Sequence, residues 1–438
     1  MQISKLRSLF IVTLLVGLML VLGGTLVSAQ AAVQIWVPWG GADGDYYAAA
    51  AAEYSAATGV PIEVTVVSGA GIAGESAGRL ATAVNSGEAP DAVIYWGAGD
   101  IPGLVTAGTI QPLAQEQLDA VGITPDIFLS ENVWAAGQYD GQVYALPQLM
   151  YNRVFYWNKD LFAAAGLDPE VPPTTLEELD AMAQQLTTFA ADGSIDVLGF
   201  LPWAGQGYPD VWTAIFGGSF WDADAQAINL QNPALTSVVQ WYASYVEQYG
   251  ADALTNWSGT VGELGQSSGG EPFVLGKLAM EINGNWHINF VRQFNPELNF
   301  GVAPIPQAPG GQPNATMVGA NIWLFPYGAA QVDEALKFIA WLYEPERAAA
   351  NADALANISH IAAGAAAQTL NDDPFFAISI DLASSPAAVF APIFPNGNLV
   401  GNALNPQIDL VKLGQATPED ALAQAQADLE FAILQGGG

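Results

Sequence analysis

The sequence predicts an α/β protein of two lobes, each with a mixed or parallel sheet flanked by helices, and three observations predict it. Strand-like and helix-like periodicities alternate as βαβαβ near the start of the chain. A second βα series follows beyond Pro173. The roughly 400 residues left after an N-terminal leader are too many for one small core, which favours two bodies over one.

Val33-Gln34-Ile35-Trp36-Val37 alternates as a half-buried strand does, and Pro38 to Gly41 break it. Asp45 to Thr58 is Ala-rich and helical, with Gly59 as its stop. Ile62, Val64 and Val66 alternate again, Glu75 to Val84 suits a helix, and Ala92 to Tyr95 is a short apolar strand. Such a succession implies a parallel sheet with crossover helices. Later, Leu176 to Phe189 predicts a helix, Val197 to Leu201 a strand and Leu235 to Tyr249 a helix. The chain closes on an Ala-rich helix, Pro418 to Leu434, and a glycine tail. No fixed period repeats, which argues against solenoids and propellers.

The first residues have the order of a secretory leader: Lys5 and Arg7, an apolar run from Leu9 to Leu22, then small residues around Ser28 and Ala29. The run falls short of the about 20 residues a membrane span needs, so cleavage near Ala29 or Ala31 and an extracytoplasmic protein are expected. Cysteine is absent, so the chain has neither disulfide nor thiolate, and no cysteine-anchored lipoprotein is expected. Only ten Lys and Arg stand against 43 Asp and Glu, for a formal net charge of −33. Nucleic acid and anionic membranes are therefore poor partners, since both ask for a basic patch. With 51% apolar residues and 13 Trp the chain is nonetheless not of disordered composition.

Four segments occur in order. Gly87-Glu88-Ala89-Pro90-Asp91-Ala92-Val93 leads to Gly108 and Gln111-Pro112-Leu113. Gly141 to Pro147 precedes Tyr156-Trp157-Asn158-Lys159-Asp160-Leu161-Phe162, Ala165-Gly166-Leu167 and Pro173 to Leu179. Phe273 to Trp286 reads F-x-x-G-K-x-A-M with Gly284 and Trp286 behind it, and runs into Phe300 to Pro306. Gly319 to Pro326 is followed by Ala335 to Ile339. Together they resemble the extracellular solute-binding proteins of ABC importers, the maltose-binding-protein-like family 1 group. Trp157 departs from the pattern, which usually has a second Tyr or a similar residue there.

The resemblance implies a periplasmic-binding-protein-like fold with a ligand cleft between two lobes and three hinge crossings. These would lie near Pro147 to Phe155, Gly301 to Pro306 and Trp341 to Pro345. Residues 1–31 would be the leader, 32–150 with 304–343 the N-terminal lobe, and 151–303 with 344–438 the C-terminal lobe. It further implies a monomer that captures a neutral sugar or oligosaccharide and delivers it to ABC transporter permease subunits, without catalysis and without a cofactor. A same-fold receptor that feeds a sensor is equally compatible with the sequence. A secreted glycosidase would also combine Trp platforms with carboxylates, but it needs two of them facing one bond.

Ligands of open α/β sheets bind beyond the carboxyl ends of strands, and aromatic faces there suit the C–H faces of sugar rings. Trp39, Tyr95, Trp96, Trp203, Trp286 and Trp323 fall just past predicted strands or glycine turns. Asp43, Asp100, Gln148, Asn285 and Asn321 are the polar candidates for pairing hydroxyls. Asp43 and Asp45 serve equally well as caps of the first helix. Trp241 and Trp341, at helical spacing among apolar residues, read as core. Arg79 and Arg153 are the nearest cations, and their scarcity argues against an anionic ligand. His287 and His360 are far apart, with no H-E-x-x-H and no Asp-rich loop, so no dedicated metal site is expected. Gly69 to Gly74 matches dinucleotide-loop spacing without its strand-to-helix setting, and reads as a cleft loop.

Overall fold

The structure is a computed structural model, and it describes residues 31–67, 75–262 and 269–435. Residues 1–30, where the leader is expected, residues 68–74 with the Gly69 to Gly74 loop, residues 263–268 and the last three glycines lie outside the described residues. Among the described residues no helix is long and apolar enough to cross a membrane.

Eight strands form one mixed sheet: β1 (Val33–Val37), β2 (Ile62–Val66), β3 (Ala92–Trp96), β4 (Ala145–Asn158), β5 (Met280–Gly284), β6 (Phe300–Ala303), β7 (Thr316–Leu324) and β8 (Ala388–Phe390). The spatial order is β5-β4-β7-β3-β1-β2, with β6 also on β4 and β8 on β7. β1 pairs in parallel with β2 and β3, as the βαβαβ pattern predicts. The helix after β1, α1 (Gly41–Thr58), starts four residues before the expected Asp45 and ends at Gly59, whose φ of 80° is a left-handed cap. α2 (Glu75–Ser86) follows β2.

β4 organises the rest. Its first half, Ala145 to Asn152, pairs antiparallel with β7. Its second half pairs with β5 on one edge and β6 on the other, so that Tyr156 has Glu281 and Val302 as opposite partners. Side chains alternate across this half: Val154 and Tyr156 enter one core, Phe155 and Trp157 the other. The first core also takes α1 and α7 (Val332–Leu342), where Tyr54 meets Phe338 ring to ring at 5.3 Å. The second takes α3 (Leu176–Leu186), α4 (Pro209–Ile215), α5 (Pro233–Tyr249), α10 (Gly397–Lys412) and α11 (Pro418–Leu434).

One expectation is corrected. Val197 to Leu201 is no strand of the main sheet. Ile195–Val197 instead makes a small hairpin with Thr188–Phe189, and that hairpin ends α3 at Leu186. β6 lies wholly against the second half of β4, and the segment after it is tied to Thr174 by the Gln307 amide, at 2.9 Å. β7 begins at Thr316. The Tyr343 hydroxyl donates to the Pro147 carbonyl of β4. α8 (Pro345–Ala354) packs on α1 and α7, and beyond it Ile358 exchanges 2.9 Å hydrogen bonds with Met150 in a second passage along β4.

Behind this passage His360 is buried against the Tyr343 ring at 4.5 Å and the Phe128 ring at 6.1 Å, with neither ring nitrogen hydrogen-bonded. Burial pushes its pKa down to about 3 from the ordinary 6.5. The unfolded chain therefore takes up a proton below pH 6.5 that the folded chain refuses, and stability falls as pH drops from there toward 3. Relative to a His360→Leu variant, the wild type should lose about 1.4 kcal/mol per pH unit between pH 6 and 4. Urea melts of both at each pH would show it, and parallel curves would mean that His360 titrates normally.

Candidate ligand-binding cleft

A cleft of about 530 Å³ lies over the middle of β4 and β7. Its floor is Tyr151 and Arg153 of β4 with Met317 and Gly319 of β7. The loop Trp96 to Asp100 forms one wall, and Tyr208, Asp210 and Phe220 form the facing one. Phe390, Phe394 and the α10 residues Val400 and Asn405 close a third side. A neighbouring hollow of about 380 Å³ shares Gly97, Tyr151, Gly319 and Phe390 and extends toward Asn132.

Local sequence explains these positions. Gly97 has φ +75°, which turns the chain as β3 ends and leaves Trp96 39% exposed beside four buried strand residues. Pro209 opens α4, and its fixed φ suits a first helical position just after Tyr208. Gly319 is opposite Tyr151 in register, and a Cβ there would come within 2.4 Å of the tyrosine ring. The absent side chain thus lets the ring lie over the floor.

The cleft is aromatic but not apolar. Arg153 is 7% exposed, with its guanidinium 4.9 Å from the Tyr151 ring and 5.2 Å from the Trp286 ring. Its Nε and Nη1 make no hydrogen bond among the described residues, so donors remain for a guest. Burial raises the Asp210 carboxyl above the usual carboxylate range, and the Arg153 charge works against that rise. Burial likewise raises Asp100, opposed by the Tyr95 hydroxyl, which donates to Asp100 Oδ2 at 2.6 Å. Flat rings beside carboxylates, a hydroxyl and one guanidinium fit a molecule with apolar faces and a hydroxylated rim.

Of the residues singled out in the sequence, Trp96 and Asp100 line the cleft. Trp39 stacks on Trp96 at 6.5 Å, one layer behind the wall. Asp43 is half-buried in the first turn of α1, where the helix has no side-chain cap bond, and burial pushes it up to about 6. Trp286 braces Tyr151 and Arg153 from the side. The others stand outside the cleft lining. Tyr95 is buried under the wall, anchoring Asp100. Trp323 is buried edge-on to Tyr47 at 6.0 Å, and Gln148, also buried, donates to the Tyr47 hydroxyl. Asn285 is buried at the strand crossing, accepting from the Asn152 amide at 2.9 Å and donating to the Ala356 carbonyl at 2.6 Å. Asn321 is buried between Trp96 and Leu149 in the sheet. Trp203 packs on Tyr242 at 5.4 Å with Lys412 over its ring, outside the cleft lining.

Sequence reasoning missed Tyr208, Asp210, Phe220, Phe390, Phe394 and Asn405, and assigned Arg153 no defined role. Tyr208-Pro209-Asp210 carried a usable signal, an aromatic and a carboxylate flanking a helix-opening proline. The Phe390 and Phe394 segment carried none, because it reaches the cleft only through pairing of β8 with β7.

Residues 49–377 match the profile of the bacterial extracellular solute-binding protein family. The solved structure of CpMnBP1 with mannotriose bound is 40% identical, superposes with a TM-score of 0.84, and is covered over 91% of this chain and 100% of that one. The maltose/maltodextrin-binding domain of Bdellovibrio bacteriovorus bound to maltotriose shares the fold, with a TM-score of 0.75 at 21% identity over 92% of this chain and 100% of that one. A maltooligosaccharide ABC transporter solute-binding lipoprotein of Streptococcus pneumoniae is 26% identical over 219 residues, 48% of this chain and 47% of its own length.

The hydroxyl of Tyr95 holds Asp100, and with it the wall loop. Tyr95→Phe is expected to cost about 1.5–3 kcal/mol at pH 7, as a lost hydrogen bond to a charged group does. A urea melt measures it, and an unchanged midpoint would show that the loop holds its place without this bond.

Proposed function

The chain belongs to the bacterial extracellular solute-binding protein family, and from that premise we propose that it captures a neutral oligosaccharide, with mannobiose and mannotriose first among candidates. The observation that carries the reading is the pairing of Trp96 on one wall with Tyr208 and Phe220 on the other, over a floor of Tyr151 and Arg153. The volume falls within the about 300–1,000 Å³ usual for small-molecule sites. Arg153 is the one Lys or Arg among the lining residues, and its unpaired donors suit hydroxyls beside the carboxyls of Asp100 and Asp210. CpMnBP1 with mannobiose bound, 40% identical with a TM-score of 0.85, supports the same ligand class.

In this reading two lobes clasp the sugar, and the loaded form delivers it to the permease of an ABC importer after export of the protein by its leader. The N-terminal lobe holds β1 to β3 with α1, α2, α7 and α8. The C-terminal lobe holds β5 and β6 with α3 to α5, α6 (His287–Phe294) and α9 (Pro374–Ala383) to α11. β4 and β7 belong to both, and the last boundary falls near Ile358. The protein is a receptor without turnover. Asp100 is committed to Tyr95 and Asp210 faces Arg153, so neither is arranged as an acid and base pair for bond cleavage.

Isothermal titration with mannobiose, mannotriose and maltotriose, with chromatography of the recovered sugar, tests this. Saturable binding of a manno-oligosaccharide without released monosaccharide is expected, and Trp96→Ala should weaken it at least tenfold, about 1.4 kcal/mol. Absence of binding across the panel, or appearance of hydrolysis products, would overturn the proposal.

A further inference from the structure

Beside β5, three ionisable side chains converge in the core. Glu271 begins a turn that runs to Gly276, Glu281 sits in β5, and His287 opens α6 (His287–Phe294). They are 1%, 2% and 0% exposed. His287 Nε2 stands 2.9 Å from Glu281 Oε1, and Nδ1 stands 3.3 Å from Glu271 Oε2. One donor atom from each residue lies within 4.8 Å of the other two.

These approaches are close enough for charge interaction but lie off the hydrogen-bonding directions. Both ring nitrogens and both Glu271 oxygens have no hydrogen-bond partner among the described residues. Glu281 alone is supported, by the Asn283 amide donating to Oε1 at 3.1 Å. The rings of Tyr156 at 5.2 Å and Phe273 at 6.2 Å wall the imidazole from water.

Two carboxylates and one imidazole cannot share such a place uncompensated, because a buried unpaired charge costs several kcal/mol. As they stand, the imidazole and both Glu271 oxygens are without hydrogen bonds among the described residues. A divalent cation answers the charge and most of this need: it takes a lone pair from one nitrogen of the neutral imidazole and one from each carboxylate, and it balances two negative charges. The donor set decides the kind of ion. One nitrogen and two carboxylates suit Zn²⁺ and its transition-metal neighbours, whereas Ca²⁺ takes six to eight oxygens and thiolate-seeking ions find no cysteine.

We propose that Glu271, Glu281 and His287 form a buried site for a divalent transition-metal cation, Zn²⁺ first, which clamps the Glu271 to Gly276 turn and α6 onto β5. Asn283 is the supporting residue that orients Glu281. Spacings of ten and six residues match no metal motif, which is why the sequence shows nothing of it.

The test uses the whole exported chain, purified without an affinity tag or metal resin, dialysed against Zn²⁺ and then against metal-free buffer. Elemental analysis should find close to one zinc per chain. Chelation with 1,10-phenanthroline should lower the melting temperature by several degrees, with recovery on adding Zn²⁺, as expected for a ligand bound only by the folded state. Co²⁺ in place of Zn²⁺ should give a visible absorption band, absent in His287→Gln and Glu281→Gln. Should either variant fail to fold, the metal content and the chelation response of the wild type still decide. A wild type that retains no zinc, and whose melting is indifferent to both chelator and Zn²⁺, would overturn the site and leave a proton-sharing cluster.

Discussion

The structure depends on one strand that takes a succession of partners along its whole length. β4 runs 14 residues, and Tyr151 alone among them is more than marginally exposed. Its first half is held by β7 and Ile358, its second by β6 and β5, so the two regions it joins share a single hydrogen-bonded ladder. A central strand tolerates no unpaired backbone group, and the partners on each edge are therefore fixed in register. Chain segments far apart in sequence, 280–285, 300–303, 316–324 and 356–360, are brought to one place by that requirement.

The same strand carries polar side chains that a buried strand ordinarily excludes. Asn152 donates to the Ser379 carbonyl at 2.7 Å, and Gln148 reaches the Tyr47 hydroxyl. Thr316 Oγ1 both accepts from the Arg153 amide and donates to its carbonyl, sealing the start of β7 against β4. These bonds are specific where apolar contacts are not, and they hold the crossing in one arrangement. Arg153 is the exception. Its backbone is pinned while its guanidinium rests between two rings with donors unspent, and it stands at the centre of the cleft floor.

How much of this was legible in the sequence follows from the range of the interactions. β1 to β3 and α1 were legible because alternation and capping are local, and Gly59 stops α1 for a reason contained in Gly59 itself. The chain's kinship was legible from motifs such as Pro90-Asp91 and Gly276-Lys277. That Trp96 and Asp100 line the cleft was legible because a strand end followed by glycine is a local signal. The buried places of Gln148, Asn285 and Trp323 were not legible, for the opposite reason: their partners, Tyr47, Ala356 and again Tyr47, lie 71 to 276 residues away in the chain, and no local pattern distinguishes a buried amide from one that greets a ligand. The packing of Pro304 to Pro313 was hidden likewise, since it looks like a linker until Gln307 is seen bonded to Thr174.

The abundance of tryptophan has its explanation in a second layer. Trp96 is backed by Trp39, whose ring is tilted by only 28°. Phe394 is stacked on Trp221 at 5.5 Å with 10° between the rings, and Tyr151 is met edge-on by Trp286 at 5.4 Å. A ring exposed to a cleft and held from one side only retains rotamer freedom, and a guest that immobilises it forfeits roughly 0.5–1.5 kcal/mol per side chain. A ring already stacked on another loses less, so more of the contact energy remains for holding the guest. Glycine cooperates at the same points: Gly319 beneath Tyr151 and Gly284 beneath Trp286 leave no space for a Cβ, and each ring takes the volume. The cleft is thus built from walls whose rings are braced from behind, and its few polar groups, Asp100, Arg153, Tyr208 and Asp210, are set between those faces.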